Sequence, residues 1–129
     1  MSMAKLFFCS KCNFEIEVWD DGNPYIIYPL RKRNYFYHPD NVDDFIKQIT
    51  GNNFSVELMN DLKNNFSGNA PNHICLDCGK VRKIDPDKDI MECKTCKSKN
   101  IIDTYNLKHK KCPFCNGIIN EDNDYFVIS

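Results

Sequence analysis

The chain has 129 residues, and its 18 acidic side chains outnumber its 17 basic ones by one, for a formal net charge of −1. A hydrophobic share of 42% fits a globular protein, and this length fits a single compact domain, residues 1–129. The N-terminus, MSMAKLFFCSK, is far short of the apolar region of a signal peptide or the ~20 residues of a membrane span. We therefore expect a cytoplasmic protein with no membrane partner.

All eight cysteines occur as Cys-x-x-Cys pairs. The pairs are Cys9/Cys12, Cys75/Cys78, Cys93/Cys96 and Cys112/Cys115. A reducing compartment disfavours disulfides, and a thioredoxin-like redox motif would be one pair beside a βαβ pattern, so the pairs indicate metal ligands. Four sulfurs complete one tetrahedral site, which predicts two Zn²⁺ ions. Iron accepts the same ligand set and is the less favoured metal.

Metal binding changes the charge and limits the chemistry of this chain. Eight thiolates add −8 and two Zn²⁺ ions return +4, so −1 becomes about −5. A site closed by four cysteines keeps no position for water or substrate. The sequence also lacks the zinc-protease, zinc-deaminase, phosphate-loop and nucleophile-elbow motifs. We therefore predict that the protein is not an enzyme.

Residues 14–38 follow the first cysteine pair and are predicted to form a three-stranded antiparallel β-meander. Phe14, Ile16 and Val18 alternate with polar or amphipathic residues, the period of a half-buried strand. The stretches DDGNP and PLRKRN are turn signals between that strand, YIIY and YFYH. Together with two helices after it, this region forms the predicted N-terminal part, residues 1–70.

Two short helices are predicted between the first and second cysteine pairs. In the first, Asp40 or Asn41 caps the start and Gly51 marks the end. In the second, Ser55 is the expected N-cap and Gly68 the terminator. The apolar face of the second helix is predicted to be Leu58, Met59, Leu62 and Phe66.

Residues 71–129 contain three of the four pairs, in the stretches CLDCGK, CKTCKSKNI and CPFCNGII. Over residues 74–119 they resemble the zinc-ribbon family, in which two such turns, called knuckles, each on a short β-hairpin, bind one Zn²⁺. The resemblance implies an α+β fold: a small zinc-stabilised domain of short antiparallel hairpins, with the two helices inserted between the first and second knuckles. It does not select a function, because zinc ribbons serve in many processes.

The residue after each second cysteine is expected to need a left-handed backbone. Gly79, Asn13 and Asn116 suit that conformation, and Lys97 is the exception. The stretch GKVRKIDPDKDIME between the second and third knuckles is predicted to be strand, turn at residues 85–87, and strand.

Three arrangements of the knuckles are open from the sequence. In the first, Cys75/Cys78 joins Cys93/Cys96, and Cys9/Cys12 joins Cys112/Cys115, so the two ends of the chain share a metal. In the second, Cys93/Cys96 joins Cys112/Cys115 across a strand-like segment, which leaves Cys9/Cys12 for Cys75/Cys78. A cross-braced arrangement is the third. His38, His73 and His109 are expected to be solvated or hydrogen-bonded, because eight cysteines already fill two sites.

Two functions from different classes follow. The first is a module that binds another protein through the helical segment or the ribbon surfaces. The second is a nucleic-acid-binding or transcription-associated zinc ribbon that uses Arg31, Lys32, Arg33 and Tyr35, or lysines near the knuckles. These lysines are Lys94, Lys97, Lys99, Lys108, Lys110 and Lys111. A bacterial immunity or phage-defence role is a further alternative, suggested only by the Asn, Lys and Ile content typical of low-GC genomes.

Overall fold

Short antiparallel sheets and two helices make up the computed structural model, which describes residues 2–37 and 40–128. The predicted α+β class is confirmed. The chain divides into two units: Met1–Gly22 with Pro71–Ser129, called the metal unit, and Asn23–Ala70, called the helical unit. The predicted division into residues 1–70 and 71–129 placed the first knuckle with the helices, whereas the contacts group that knuckle with the C-terminal region.

Ten strands and two α-helices occur among the described residues. The strands are β1 (Met3–Cys9), β2 (Glu15–Trp19), β3 (Pro24–Ile27), β4 (Arg33–Tyr35), β5 (Ser67–Asn69), β6 (Asn72–Cys75), β7 (Val81–Lys83), β8 (Ile101–Asp103), β9 (Ile119–Glu121) and β10 (Val127–Ile128). The helices are α1 (Val42–Thr50) and α2 (Val56–Asn65). No described helix has the length and apolar character needed to cross a lipid bilayer.

Strand β1 is the centre of the first sheet. It pairs with β2 along one edge and with both β9 and β10 along the other, all antiparallel. The ladder places Cys9 opposite Ile119, only four residues after Cys115. An N-terminal strand therefore brings the first knuckle beside the last one.

Strand β6 has the same position in a second sheet of the metal unit. It forms a hairpin with β7 and pairs with β8 on its other edge, which places Cys75 opposite Ile101. In each sheet, a knuckle lies in the turn of a hairpin, and a second knuckle precedes a strand that pairs with the hairpin's first strand. The β6–β8 sheet is thus inserted, along the chain, into a sheet of the same topology.

The core of the metal unit includes the cysteines of the first and last knuckles. Phe7, Val18, Ile74, Leu107 and Ile119 are buried in one cluster. Cys9 and Cys112 are buried in the same cluster, and Cys12 and Cys115 pack against it. The four sulfurs of these two knuckles therefore belong to the packed interior of the unit or border it.

The helical unit has its own sheet and its own core. Its strand order is β4-β3-β5, and Ile26, Ile46 and Leu62 are buried between that sheet and the helices. The Asn41 side chain accepts hydrogen bonds from the backbone N–H groups of Asp43 and Asp44, and the Ser55 hydroxyl accepts one from Leu58. The predicted N-caps are confirmed at Asn41 and Ser55.

Three local predictions are wrong. Residues 14–38 do not form one meander, because β2 pairs with β1 whereas β3 pairs with β4 and β5. Helix α2 ends before Phe66 rather than at Gly68, since Ser67–Asn69 continues as β5, and Phe66 is 41% exposed. Residues 88–92 do not form the strand predicted after the turn, because the N–H of Asp89 bonds to the carbonyl of Asp85 and extends the turn.

Candidate metal centres

The structure gathers the eight cysteines into two sets of four. The outer quartet is Cys9, Cys12, Cys112 and Cys115, and the inner quartet is Cys75, Cys78, Cys93 and Cys96. Within each set, all sulfur atoms lie within 4.8 Å of one another. This is the first of the three arrangements open from the sequence, and each quartet can hold one metal ion.

All four knuckles are closed by the same backbone hydrogen bond. The N–H of the first cysteine donates to the carbonyl five residues later, at lengths of 2.8 to 3.0 Å. The donor–acceptor pairs are Cys9–Phe14, Cys75–Lys80, Cys93–Ser98 and Cys112–Gly117. This closure folds each Cys-x-x-Cys stretch so that both of its sulfurs lie on the same side of the turn.

The sulfur separations fit a tetrahedral metal site. They are 3.3 Å for Cys9–Cys115 and 3.7 Å for Cys12–Cys112, and 3.5 Å for both Cys75–Cys96 and Cys78–Cys93. A tetrahedron with Zn–S bonds of ≈ 2.3 Å has edges of about 3.8 Å. A disulfide would need ≈ 2.05 Å, so the quartets have metal-site rather than disulfide spacing.

Backbone N–H groups point at the sulfurs and favour the thiolate form. The N–H of Lys11 is the main cause that lowers the pKa of Cys9 to about 6, and the N–H of Cys96 does the same for Cys93. At Cys96 the N–H of Ser98 lowers the pKa, but burial and the neighbouring sulfurs outweigh it and raise the pKa to about 12. Four adjacent sulfurs thus resist full ionisation, and a bound dication removes that resistance.

Asp77 connects the two knuckles of the inner quartet and was not predicted from the sequence. Its carboxylate accepts hydrogen bonds from the Ser98 hydroxyl and the Asn100 amide, which lower the pKa of Asp77. Ser98 and Asn100 follow the Cys93/Cys96 knuckle, whereas Asp77 lies inside the Cys75/Cys78 knuckle. The contact holds the two knuckles together independently of the sulfurs, as outer-shell groups commonly do at metal sites.

The left-handed backbone expected after each second cysteine is found in the inner quartet, at Gly79 and also at Lys97, the residue type expected to be the exception, and the expectation is wrong for Asn13 and Asn116. Among the described residues, positive φ at this position occurs at Gly79 (81°) and Lys97 (65°), and not at Asn13 or Asn116. Both inner knuckles share a bond from this residue's N–H to the carbonyl of the first cysteine, at 2.8 and 2.9 Å. For a lysine this conformation costs roughly 1–2 kcal/mol.

Gly117 is a close backbone neighbour of the outer quartet. A Cβ atom added there would lie 2.6 Å from the Cys9 sulfur and 3.2 Å from the Cys115 sulfur. The N–H of Gly117 also donates to the Cys115 sulfur at 3.2 Å. Gly117 is thus required for space, a role that a pattern of cysteines does not indicate.

Phe114 links the outer quartet to the inner one. Its ring contacts Phe14 with a centroid distance of 5.2 Å, and its other neighbour is the backbone of Gly79. A Cβ at Gly79 would overlap the Phe114 ring. Gly79 therefore has two requirements at once, a left-handed backbone and room for a ring from the other knuckle pair.

The residues predicted to contact nucleic acid are divided by the structure. Arg31 and Lys32 are exposed in the turn before β4. The Arg33 guanidinium lies over the Tyr25 ring at 4.5 Å, and Tyr35 meets the same ring edge-on at 5.7 Å. Arg33 and Tyr35 are half-buried, so their contacts with the fully buried Tyr25 account for both side chains.

Of the three histidines, two are described, and neither belongs to a quartet. His73 is buried, with Nδ1 2.8 Å from the carbonyl of Pro71. His109 is exposed and has a positive φ of 67°. His38 lies outside the described residues.

Compared with protein families, curated proteins and solved structures, the chain shows no match to any of them. The two candidate centres are therefore defined by the positions of the chain's own sulfurs. The turn closures and the backbone N–H contacts to sulfur are shared by both quartets, which supports the same role for the two sites.

Gly117→Ala is expected to weaken zinc binding at the outer quartet by about 10- to 100-fold, because the new methyl group enters the space of the Cys9 sulfur. Competition with a chromophoric chelator measures this affinity. Gly51→Ala is the control, since Gly51 lies outside both quartets and has no atom within 4 Å of an added Cβ. Two zinc ions held as tightly as in the unmodified protein would contradict this role of Gly117.

Gly79→Ala is expected to lower the free energy of unfolding by about 2 kcal/mol or more, through backbone strain and overlap with Phe114. Adding Phe114→Ala to Gly79→Ala should restore the part of the free energy of unfolding that is lost through overlap with the ring, and should not restore the part lost through backbone strain. Chemical denaturation of the two single variants and the double variant measures the coupling. A double variant that is no more stable than Gly79→Ala would show that the ring contact is unimportant.

Proposed function

We propose that both quartets bind zinc as a structural metal and that the protein is a non-enzymatic module that binds another protein. The observation that carries the metal part is that every cysteine belongs to a closed set of four sulfurs. Such a set completes tetrahedral coordination and leaves no position for a substrate. The repeated hairpin-and-knuckle topology supports a zinc-ribbon architecture, present twice and nested.

Exposed apolar side chains on the metal unit support a protein partner. Ile90 is 77% exposed, Phe126 67% and Phe114 58%. Aromatic residues are enriched at protein interfaces relative to the rest of a surface. The charge of about −5 with two zinc ions bound also disfavours a polyanionic partner.

Removal of metal is expected to unfold the metal unit, because at such sites the binding free energy is largely folding free energy. The helical unit contains no cysteine and has a separate core, so α1 and α2 should retain more amide protection than β1 and β6. Hydrogen exchange with and without a strong chelator measures this difference. Unchanged protection in β1 and β6 would contradict the structural role of the metal.

Native mass spectrometry of protein purified gently from its own host tests the partner. We expect two zinc ions and a stoichiometric protein. A bound nucleic acid would contradict the proposal and favour the alternative, a nucleic-acid-binding ribbon. A salt series is the control, because an interface with 6–10 phosphate contacts loses about 10³- to 10⁵-fold in affinity between 50 and 200 mM salt. A protein interface should lose far less.

A further inference from the structure

A cleft of about 400 Å³ lies beside the inner quartet, within the metal unit. Four cationic side chains line it: Arg82, Lys88, Lys94 and Lys97. Two acidic residues, Asp89 and Glu92, also line it, as does Cys93 of the inner quartet; apart from that metal-ligating cysteine, the lining side chains carry a formal charge of 4 − 2 = +2. The volume is within the range of small-ligand sites, ≈ 300–1,000 Å³.

Hydrogen bonds of the Asp89 side chain and of the Glu92 backbone shape the cleft. The Asp89 carboxylate accepts a hydrogen bond from the N–H of Asp85 at 2.8 Å, which closes the turn after β7. The carbonyl of Glu92 accepts one from the Arg82 guanidinium at 2.9 Å. The Arg82 side chain therefore connects β7 to the residue that precedes the knuckle of Cys93. These two hydrogen bonds hold the backbone that borders the cleft, one in the turn after β7 and one just before Cys93.

Lys97 occupies a backbone conformation that favours glycine. Its φ of 65° matches the conformation of Gly79, which has the same position in the other knuckle of the inner quartet. The fold therefore accepts glycine here, and lysine pays a strain that glycine avoids. What lysine adds is an ammonium group, and Lys97 lines the cleft. An uncommon backbone conformation retained at a cost is a reason to look for function.

Ile90 gives the cleft an apolar contact. Its side chain is 77% exposed on a wall that otherwise consists mainly of charged residues. Among the described residues that line the cleft, none is aromatic. A nucleobase would thus have no ring to stack on, whereas an aliphatic side chain of a peptide could pack on Ile90.

We propose that this cleft binds an acidic peptide segment of the partner protein, with carboxylates paired to Lys94 and Lys97 and an aliphatic side chain packed on Ile90. The inference rests on the proposed protein-binding function and names the partner's chemistry. Charge complementarity selects the occupant, because the lining side chains outside the quartet carry +2 while the zinc-bound molecule as a whole is acidic. A peptide with a few carboxylates can enter without the repulsion that a long polyanion would meet.

The test is an NMR titration of the zinc-bound protein with a peptide in which two leucines are flanked by glutamates. We expect shifts concentrated at the amides of Ile90, Lys94 and Lys97. The same peptide with glutamine for glutamate should bind much more weakly. Shifts elsewhere, no binding, or tighter binding of oligo-dT at the cleft would each overturn the proposal.

Variants separate binding from folding. Lys97→Gly should leave the melting temperature unchanged or higher, since glycine adopts positive φ freely. The same variant should weaken binding of the acidic peptide by about three- to fivefold, because one positive charge is lost. Lys94→Gln and Ile90→Ala should also weaken it. Lys80→Gln is the matched control, an exposed lysine beside the same quartet that does not line the cleft. Unchanged affinity in Lys97→Gly would overturn the role of its charge.

The two proposals can fail separately. A native protein complex that survives Lys97→Gly and Ile90→Ala unchanged would overturn the cleft while the protein-binding function stands. A complex weakened by both variants and not by Lys80→Gln supports the cleft. If the zinc-bound protein carries nucleic acid from its host and ignores the acidic peptide, both proposals are overturned.

Discussion

Four thiolates cannot remain together without a positive charge between them, and the fold of the metal unit depends on this constraint. At Cys96 the neighbouring sulfurs contribute to a pKa of about 12, even though the N–H of Ser98 favours the thiolate. The backbone supplies N–H donors to the sulfurs, but these are partial charges. A dication is what converts a repulsive cluster into a crosslink. With a metal ion bound, the outer quartet would crosslink Cys9 to Cys115, which are 106 residues apart along the chain.

The nested topology explains how one chain can satisfy this constraint twice. Strands β1 and β6 each carry a first cysteine at their last residue, and each accepts a later strand on the free edge of its hairpin. The inner sheet needs only local chain, residues 72–103. The outer sheet joins strands that are separated along the chain by all the residues between β2 and β9, which include the helical unit. Because the entropy cost of loop closure grows only slowly with length, a long insertion of this kind is tolerated.

Local signals predicted local structure well. Asn41 and Ser55 cap the helices because capping depends on a few adjacent N–H groups, and the four Cys-x-x-Cys turns follow from chemistry within six residues. The partner of β2 could not be predicted in this way. Phe14, Ile16 and Val18 alternate equally well beside β1 or β3, since alternation identifies a buried face but not the neighbouring strand. Gly117 was missed because its role is defined by Cys9, which is 108 residues away.

The comparison of Gly79 with Lys97 shows why structure and function are separable in this molecule. Both residues have positive φ and the same backbone hydrogen bond in the same quartet, so the turn itself requires nothing that glycine lacks. Gly79 has a second requirement, space for Phe114, which excludes a side chain. Lys97 has no such restriction, and a cleft lies where its side chain extends. A metal site closed by four cysteines would leave no position for a substrate, so under the proposed function binding resides in the surfaces that the site holds in place. Lysine at this position is therefore better explained by what the surface binds than by what the turn requires.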